Sequence, residues 1–322
     1  MGQGEEEKTR PDPQLEIQER GEIFFFYRPK VGKEEAHSPG DVQRLYIVLR
    51  PESGERPVEE KQDPRSGKEG AKKESTEDMT SESTNNETEG GYGSQEVNIE
   101  KEPLLRLIVM GRKALPNPSQ KSQPFWGFVE MVTTNIDDLK AALKEEEYET
   151  ATRGHRHKPG ARAMGEGIYR ILKHNPGRRP HTHLIYKLEF PAEDKNKEPQ
   201  EALNVEKEGS FVLQIKNPEQ AAGGSSQFRG LQNKRKAAFP AHLQGLCGHR
   251  RFVPADPPDF LNYEGCELLL ISASDDIEEE LGLELKTEVE EDETEYPSCS
   301  DLIQTFGEDA APVTPLLKGI WA

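Results

Sequence analysis

Residues 21–29, GEIFFFYRP, alternate so that Ile23, Phe25 and Tyr27 share one face of an extended strand, and Pro29 ends it. The next apolar stretch, 42–50 (VQRLYIVLR), repeats the pattern with Leu45, Ile47 and Leu49 together. Further β-rich apolar segments follow at 104–111, 125–132, 166–174, 182–190, 210–216 and 266–273. Pro, Gly and Asn punctuate them, as PNPSQKSQP before Phe125, NPGRRP before His181 and the flexible GGSSQFRG after Pro218. Two helices interrupt the series. One runs from Ile136, with Thr134 or Asn135 as cap, Asp137 and Asp138 in the first turn, and Ile136, Leu139 and Leu143 on one side. The other lies within 236–245 and is started or kinked by Pro240. The expected fold is α+β and β-rich: a single antiparallel barrel or sandwich of about eight strands with two short helices.

The charge lies elsewhere. The 322 residues carry a formal net charge of −18, and only 32 % are hydrophobic, too few to bury the whole length in one core. Residues 51–103 have a net charge of −8 and almost no apolar positions, which predicts a disordered acidic insertion between the second and third strands. As a long hairpin loop it would be tolerated, because loop closure costs only about 0.6 kcal/mol per doubling of length. Residues 275–295, at −11, read as an acidic tail, and 1–20 as a disordered N-terminus. The single β-rich domain is then 21–274, less the insertion, with a charge of +6. Leu316, Leu317, Ile320 and Trp321 mark 296–322 as a segment that docks on this core or on a partner.

No apolar run approaches the ~20 residues of a spanning helix, so no membrane partner is expected. The opening MGQGEEEKTRPD has no apolar leader, and Lys234–Lys236 is a minimal basic tract. The expectation is an intracellular protein, cytoplasmic or nuclear, and not secreted. Three widely spaced cysteines, Cys247, Cys266 and Cys299, exclude a disulfide scaffold and a CxxC zinc site.

Two constellations carry candidate chemistry. The segment 153–179 has a net charge of +7, and Arg153, Arg156, Lys158, Arg162, Arg178 and Arg179 are its candidate anion-binding residues, because guanidinium groups pair with phosphate or carboxylate bidentately. An anionic ligand, a phosphorylated or acidic partner, or less favourably a nucleic acid fits such a field; aromatic interleaving of the kind that stacks bases is missing. The bland alternative is a solvated face, or one that docks the chain's own acidic arms. His181 and His183, in HTH at the start of a strand, are candidate metal ligands, with a third from His155, His157 or Glu166. Paired strand-end histidines without a metal are the commoner case.

Asp256, Asp259 and Glu264 suit local turns around Pro257 and Pro258 better than paired-carboxylate catalysis. The glycines of MGEGIY match no dinucleotide or phosphate-loop fingerprint, and neither GxSxG nor HExxH is present.

Together, GEIFFFYRPKVGKEEAHSPGDVQRLYIVLRP (21–51), YETATRGHRHKPGARAMGEGIYRIL (148–172), HTHLIYKLEF (181–190) and FVPADPPDFLNYEGCELLLI (252–271) resemble a family of uncharacterised land-plant and bacterial proteins. Its plant members are often labelled as similar to a viral nuclear antigen. The resemblance implies no reaction, ligand or catalytic residue. It does imply that bacterial members are shorter between the second and third strands, so the acidic insertion is an addition to an older fold. From the residues themselves the leading expectation is a binding or regulatory protein whose basic segment holds an anionic partner. The alternatives are a metal-dependent or cavity-based enzyme built on His181 and His183, with a divalent metal as cofactor, and a structural scaffold.

Overall fold

The eight periodic segments become the staves of a closed antiparallel barrel. The computed structural model describes residues 4–11, 13–52, 55–59, 94–98, 102–120, 123–152, 154–177, 180–192, 195–220, 235–287, 301–307 and 311–322. The chain opens with a short strand, β1 (Glu5–Lys8), and enters the barrel through β2 (Leu15–Pro29) and β3 (Val42–Pro51). A small hairpin of β4 (Glu55–Glu59) and β5 (Ser94–Asn98) belongs to the acidic insertion, of which 60–93 lies outside the described residues. The barrel resumes with β6 (Leu105–Met110) and β7 (Phe125–Thr133). Helix α1 (Ile136–Leu143) and the hairpin of β8 (Glu146–Thr150) and β9 (Gly154–Lys158) then lead to β10 (Arg162–His174) and β11 (His181–Phe190). Next come α2 (Glu198–Ala202), β12 (Glu208–Lys216), α3 (Ala241–Cys247), β13 (Phe252–Pro254) and β14 (Glu267–Ser274). The chain closes with α4 (Ile277–Leu281), β15 (Leu283–Lys286), α5 (Asp301–Phe306) and α6 (Thr314–Lys318).

Two four-stranded meanders make the ring, β2-β3-β6-β7 and β10-β11-β12-β14. Pairing of β10 with β2 and of β7 with β14 closes it. The backbones of β10 and β11 approach closely at the bulge between them. A Cβ on Gly167 would sit 2.0 Å from the Lys187 carbonyl oxygen, which explains the glycine beside the bulge at Glu166. Helix α1 forms where expected, with Asn135 accepting the backbone N–H of Asp137.

The interior is packed, not hollow. Ile23, Phe25, Tyr27, Leu45, Ile47 and Leu49 point inward with Tyr169, Tyr186 and Phe211. The intervening Phe24, Phe26, Tyr46 and Val48 are equally buried, beneath Leu139 and Leu143 of α1, Leu302 and Phe306 of α5 and Leu316 of α6. A strand covered on both faces reads as an unbroken apolar run, hence FFFY. The C-terminal segment therefore docks on its own core: Trp321 packs edge-on against Tyr27, whose hydroxyl donates to the Ala322 carbonyl at 2.8 Å.

Two expectations are corrected. Residues 5–8 and 15–20 are strand and not a disordered arm, and the segment from 275 is not wholly an unstructured tail: β1 pairs antiparallel with β15, and α4 precedes β15. The acidic count concealed an apolar spacing. Ile277, Leu281, Leu283 and Leu285, with Leu15 and Ile17, cover Ile168, Leu172 and Ile185 on the outer barrel wall. The carboxylates are matched as well: Glu6 accepts from Arg20 and from the buried Arg170, and Glu7 pairs with Lys286. Residues 288–300 lie outside the described residues. Among the described residues no helix is long and apolar enough to cross a membrane.

Burial raises the Glu6 pKa, but hydrogen bonds from Arg20 and Arg170 outweigh it and hold the carboxyl below its usual value of 4.5. A depressed carboxyl stabilises the fold above its unfolded pKa, and that contribution is lost as pH falls through the folded one. Protection factors over 5–8 and 283–286 should therefore fall selectively as the pH drops from 5 to about 3, and Glu6→Gln should weaken that pH dependence. Equal protection at both pH values would show that the ion pairs do not hold the strap.

Candidate metal centre

Strand β11 pairs antiparallel with β10 in a register that sets His174 directly opposite His181. His183 lies two residues further along β11, on the same face as His181. That face is the outer wall of the barrel, since Leu172 and Ile185, which share its parity, pack under α4 and β15. The three rings form a triangle, with centroids 4.9 Å (His181 to His183), 5.1 Å (His174 to His181) and 5.7 Å (His174 to His183) apart.

One ring nitrogen from each histidine lies within 4.8 Å of the other two, the one such cluster of three among the described residues. His183 is 1 % exposed, with Nδ1 3.0 Å from Ser210 Oγ of β12 and Nε2 without a hydrogen-bond partner. Nδ1 of the half-buried His174 is also buried and without one. Burial, reinforced by His181 and His174, pushes the His183 pKa down to about 3, and burial with His181 lowers that of His174. Neutral imidazoles with unused buried lone pairs suit a metal ion, because each unpaired nitrogen otherwise carries a desolvation cost of about 1–3 kcal/mol.

The donor set selects among ions. Three imidazoles suit zinc, cobalt, nickel or copper, whereas magnesium and calcium require oxygen ligands. Ligands ~2.0–2.1 Å from a tetrahedral ion stand ~3.3 Å from one another, so the rings must close by about 1.5 Å at most, within reach of side-chain rotation. A fourth position then remains for water or another donor.

The third imidazole that the fold brings to His181 and His183 is that of His174, and the residues named from sequence lie elsewhere. His155 and His157 sit on β9, at the far end of the barrel, where His157 lies between Glu34 (3.3 Å) and Glu145 (3.5 Å). Glu166 is buried and accepts the backbone N–H groups of Asp301 (2.6 Å) and Leu302 (3.2 Å), tying down the start of α5. His174 was legible in principle: two strands joined by the short NPGRRP loop place their flanking residues across from each other.

The basic segment does not gather in the same way. Arg153, Arg178 and Arg179 lie outside the described residues. Arg156 and Lys158 are on the β8–β9 hairpin, with Lys158 3.1 Å from Glu146, and Arg162 donates to the carbonyls of Gly160 and Glu34. Arg170 is fully buried, and Lys173 pairs with Asp256 at 2.8 Å. Eleven residues of strand, roughly 36 Å, separate Arg162 from Lys173. Asp256 also accepts from Gln18, and Glu264 accepts the Val132 N–H and pairs with Arg235, so these carboxylates join segments of the fold. Cys266 is fully buried and its thiol pKa is raised by burial, as fits an inert core residue.

Comparison with protein-family models, curated proteins and solved structures found no match, so the chemistry of the site rests on its own geometry.

Proposed function

We propose that this protein is a divalent-metal-binding β-barrel whose His174, His181 and His183 hold a zinc-class ion on the outer wall at one end of the barrel. The observation that supports this reading is the convergence of three imidazole nitrogens, with His183 Nε2 buried and unpartnered. The half-buried His174 and His181 keep the ion within reach of solvent, and the three-nitrogen set leaves a position for a water molecule. A bound water of that kind is acidified by the ion, which makes metal-assisted hydrolysis the reaction class this arrangement would serve.

Metal analysis and calorimetric titration of the full chain test the reading. Wild type should bind one equivalent of Zn²⁺, and free Zn²⁺ a hundredfold above Kd should stabilise the fold by about 2.7 kcal/mol, with Mg²⁺ having no effect. His183→Ala and His181→Ala should each lower Zn²⁺ affinity by at least a hundredfold. Failure of wild type to bind stoichiometrically, or undiminished binding by both variants, would overturn the proposal.

A further inference from the structure

A second layer stands behind the metal-facing side of His183. Ser210 Oγ lies 3.0 Å from His183 Nδ1, and the carboxylate of Glu280 faces the same nitrogen, its Oε1 3.9 Å away. Ser210 is fully buried, and Glu280 Oε2 is buried without a partner. A serine hydroxyl has one proton to give. Given to the Glu280 carboxylate, it leaves the Ser210 oxygen to accept, so Nδ1 of His183 carries the imidazole proton and Nε2 carries the lone pair. Hydrogen bonding at one ring nitrogen fixes which nitrogen a metal takes, and here it releases the nitrogen that has no other partner.

Glu280 belongs to α4, the helix that begins the strongly acidic segment. Asp276 caps that helix through the Glu279 N–H, and Glu208 accepts the Ile277 N–H at 3.2 Å. Ile277 and Leu281 bury its apolar side against the barrel, and Gly282, at φ +67°, turns the chain directly into β15 and its pairing with β1. One side chain of this strap thus faces a ligand of the candidate metal.

We infer that Glu280, acting through Ser210, is a positioning residue for the metal centre, and that metal occupancy in turn stabilises the docked strap formed by α4, β15 and β1. The inference rests on the metal-binding reading above and adds a regulatory consequence to it. Coupling is reciprocal: whatever factor the docked Glu280 contributes to ion affinity, the ion returns to the docking equilibrium. The acidic segment then reports metal supply, held down when the ion is bound and released more often when it is absent.

Zinc titration and hydrogen exchange of the full chain, in wild type, Ser210→Ala, Glu280→Gln and His183→Ala, test this. Glu280→Gln is nearly isosteric, and thermal melts of each zinc-free variant establish that it is folded. Zn²⁺ affinity should fall 10–100-fold in Ser210→Ala and in Glu280→Gln. Exchange over 277–286 should slow on adding Zn²⁺ to wild type, and slow much less in Glu280→Gln. The inference is overturned if wild type binds Zn²⁺ while both variants bind within twofold of it, which would leave Glu280 a packing role only. It is equally overturned if Zn²⁺ leaves strap exchange unaltered in wild type. If wild type itself binds no Zn²⁺, the metal-binding reading fails and takes this inference with it, an outcome distinct from the other two.

Discussion

Arg106→Met, with Glu19 left in place, should destabilise the barrel by about 3–5 kcal/mol, because it strands a carboxylate in the interior. Arg106 is fully buried on β6, and Glu19 of β2 is 2 % exposed. The pair is bidentate, with Nη1 and Nη2 donating to the two Glu19 oxygens at 2.6 and 2.9 Å. Tyr169 donates to Glu19 at 2.8 Å, and Arg106 Nε donates to Asn262 at 2.8 Å. Four segments of chain meet at this one guanidinium and its counter-ion. At about 2–4 °C per kcal/mol for a domain this large, the melting temperature should drop by roughly 10 °C. Urea unfolding should show a lower midpoint at an unchanged slope. The double variant Arg106→Met with Glu19→Gln should recover most of the loss, since the new amide oxygen would still accept from Tyr169 and no charge would be buried. A single-variant cost below about 1 kcal/mol would mean that the pair is not held dry in solution.

Phe306→Ala should cost about 3–5 kcal/mol, the usual range for emptying a buried phenylalanine site. Phe306 ends α5, beyond the acidic stretch, yet it is 2 % exposed and meets Phe24 of β2 edge-on at 5.3 Å. Leu302 and Leu316 flank it in the same outer cluster. The anchor at the start of α5 is Glu166, so Glu166→Gln should act in the same direction with a smaller effect. Unfolding by denaturant, followed by limited proteolysis at native conditions, separates a global loss from local release of 301–322. If Phe306→Ala shifted stability by less than about 1 kcal/mol, the C-terminal segment would not be part of the cooperative fold.

The barrel was legible in the sequence because alternation is a local property: Ile23, Phe25 and Tyr27 need only their own neighbours to declare a face. The strap was not, because charge counting averages over Ile277, Leu281, Leu283 and Leu285, whose partners Ile168, Leu172 and Ile185 lie on strands about a hundred residues away. The candidate site was half legible. His181 and His183 announce themselves by their spacing, whereas His174 required the register across a loop, and Ser210 and Glu280 required the tertiary fold. In the basic segment, linear density does not carry over to the described residues of β10, because an extended strand carries its residues apart as fast as it adds them.

A ring of strands has no first or last member. The staves of this barrel spend their backbone donors and acceptors on each other, and the strands outside the ring are at most five residues long among the described residues. Among the described residues the ring therefore presents no long open edge on which another chain could template a strand, by insertion or by edge-to-edge stacking. A partner that meets the described staves has to read side chains.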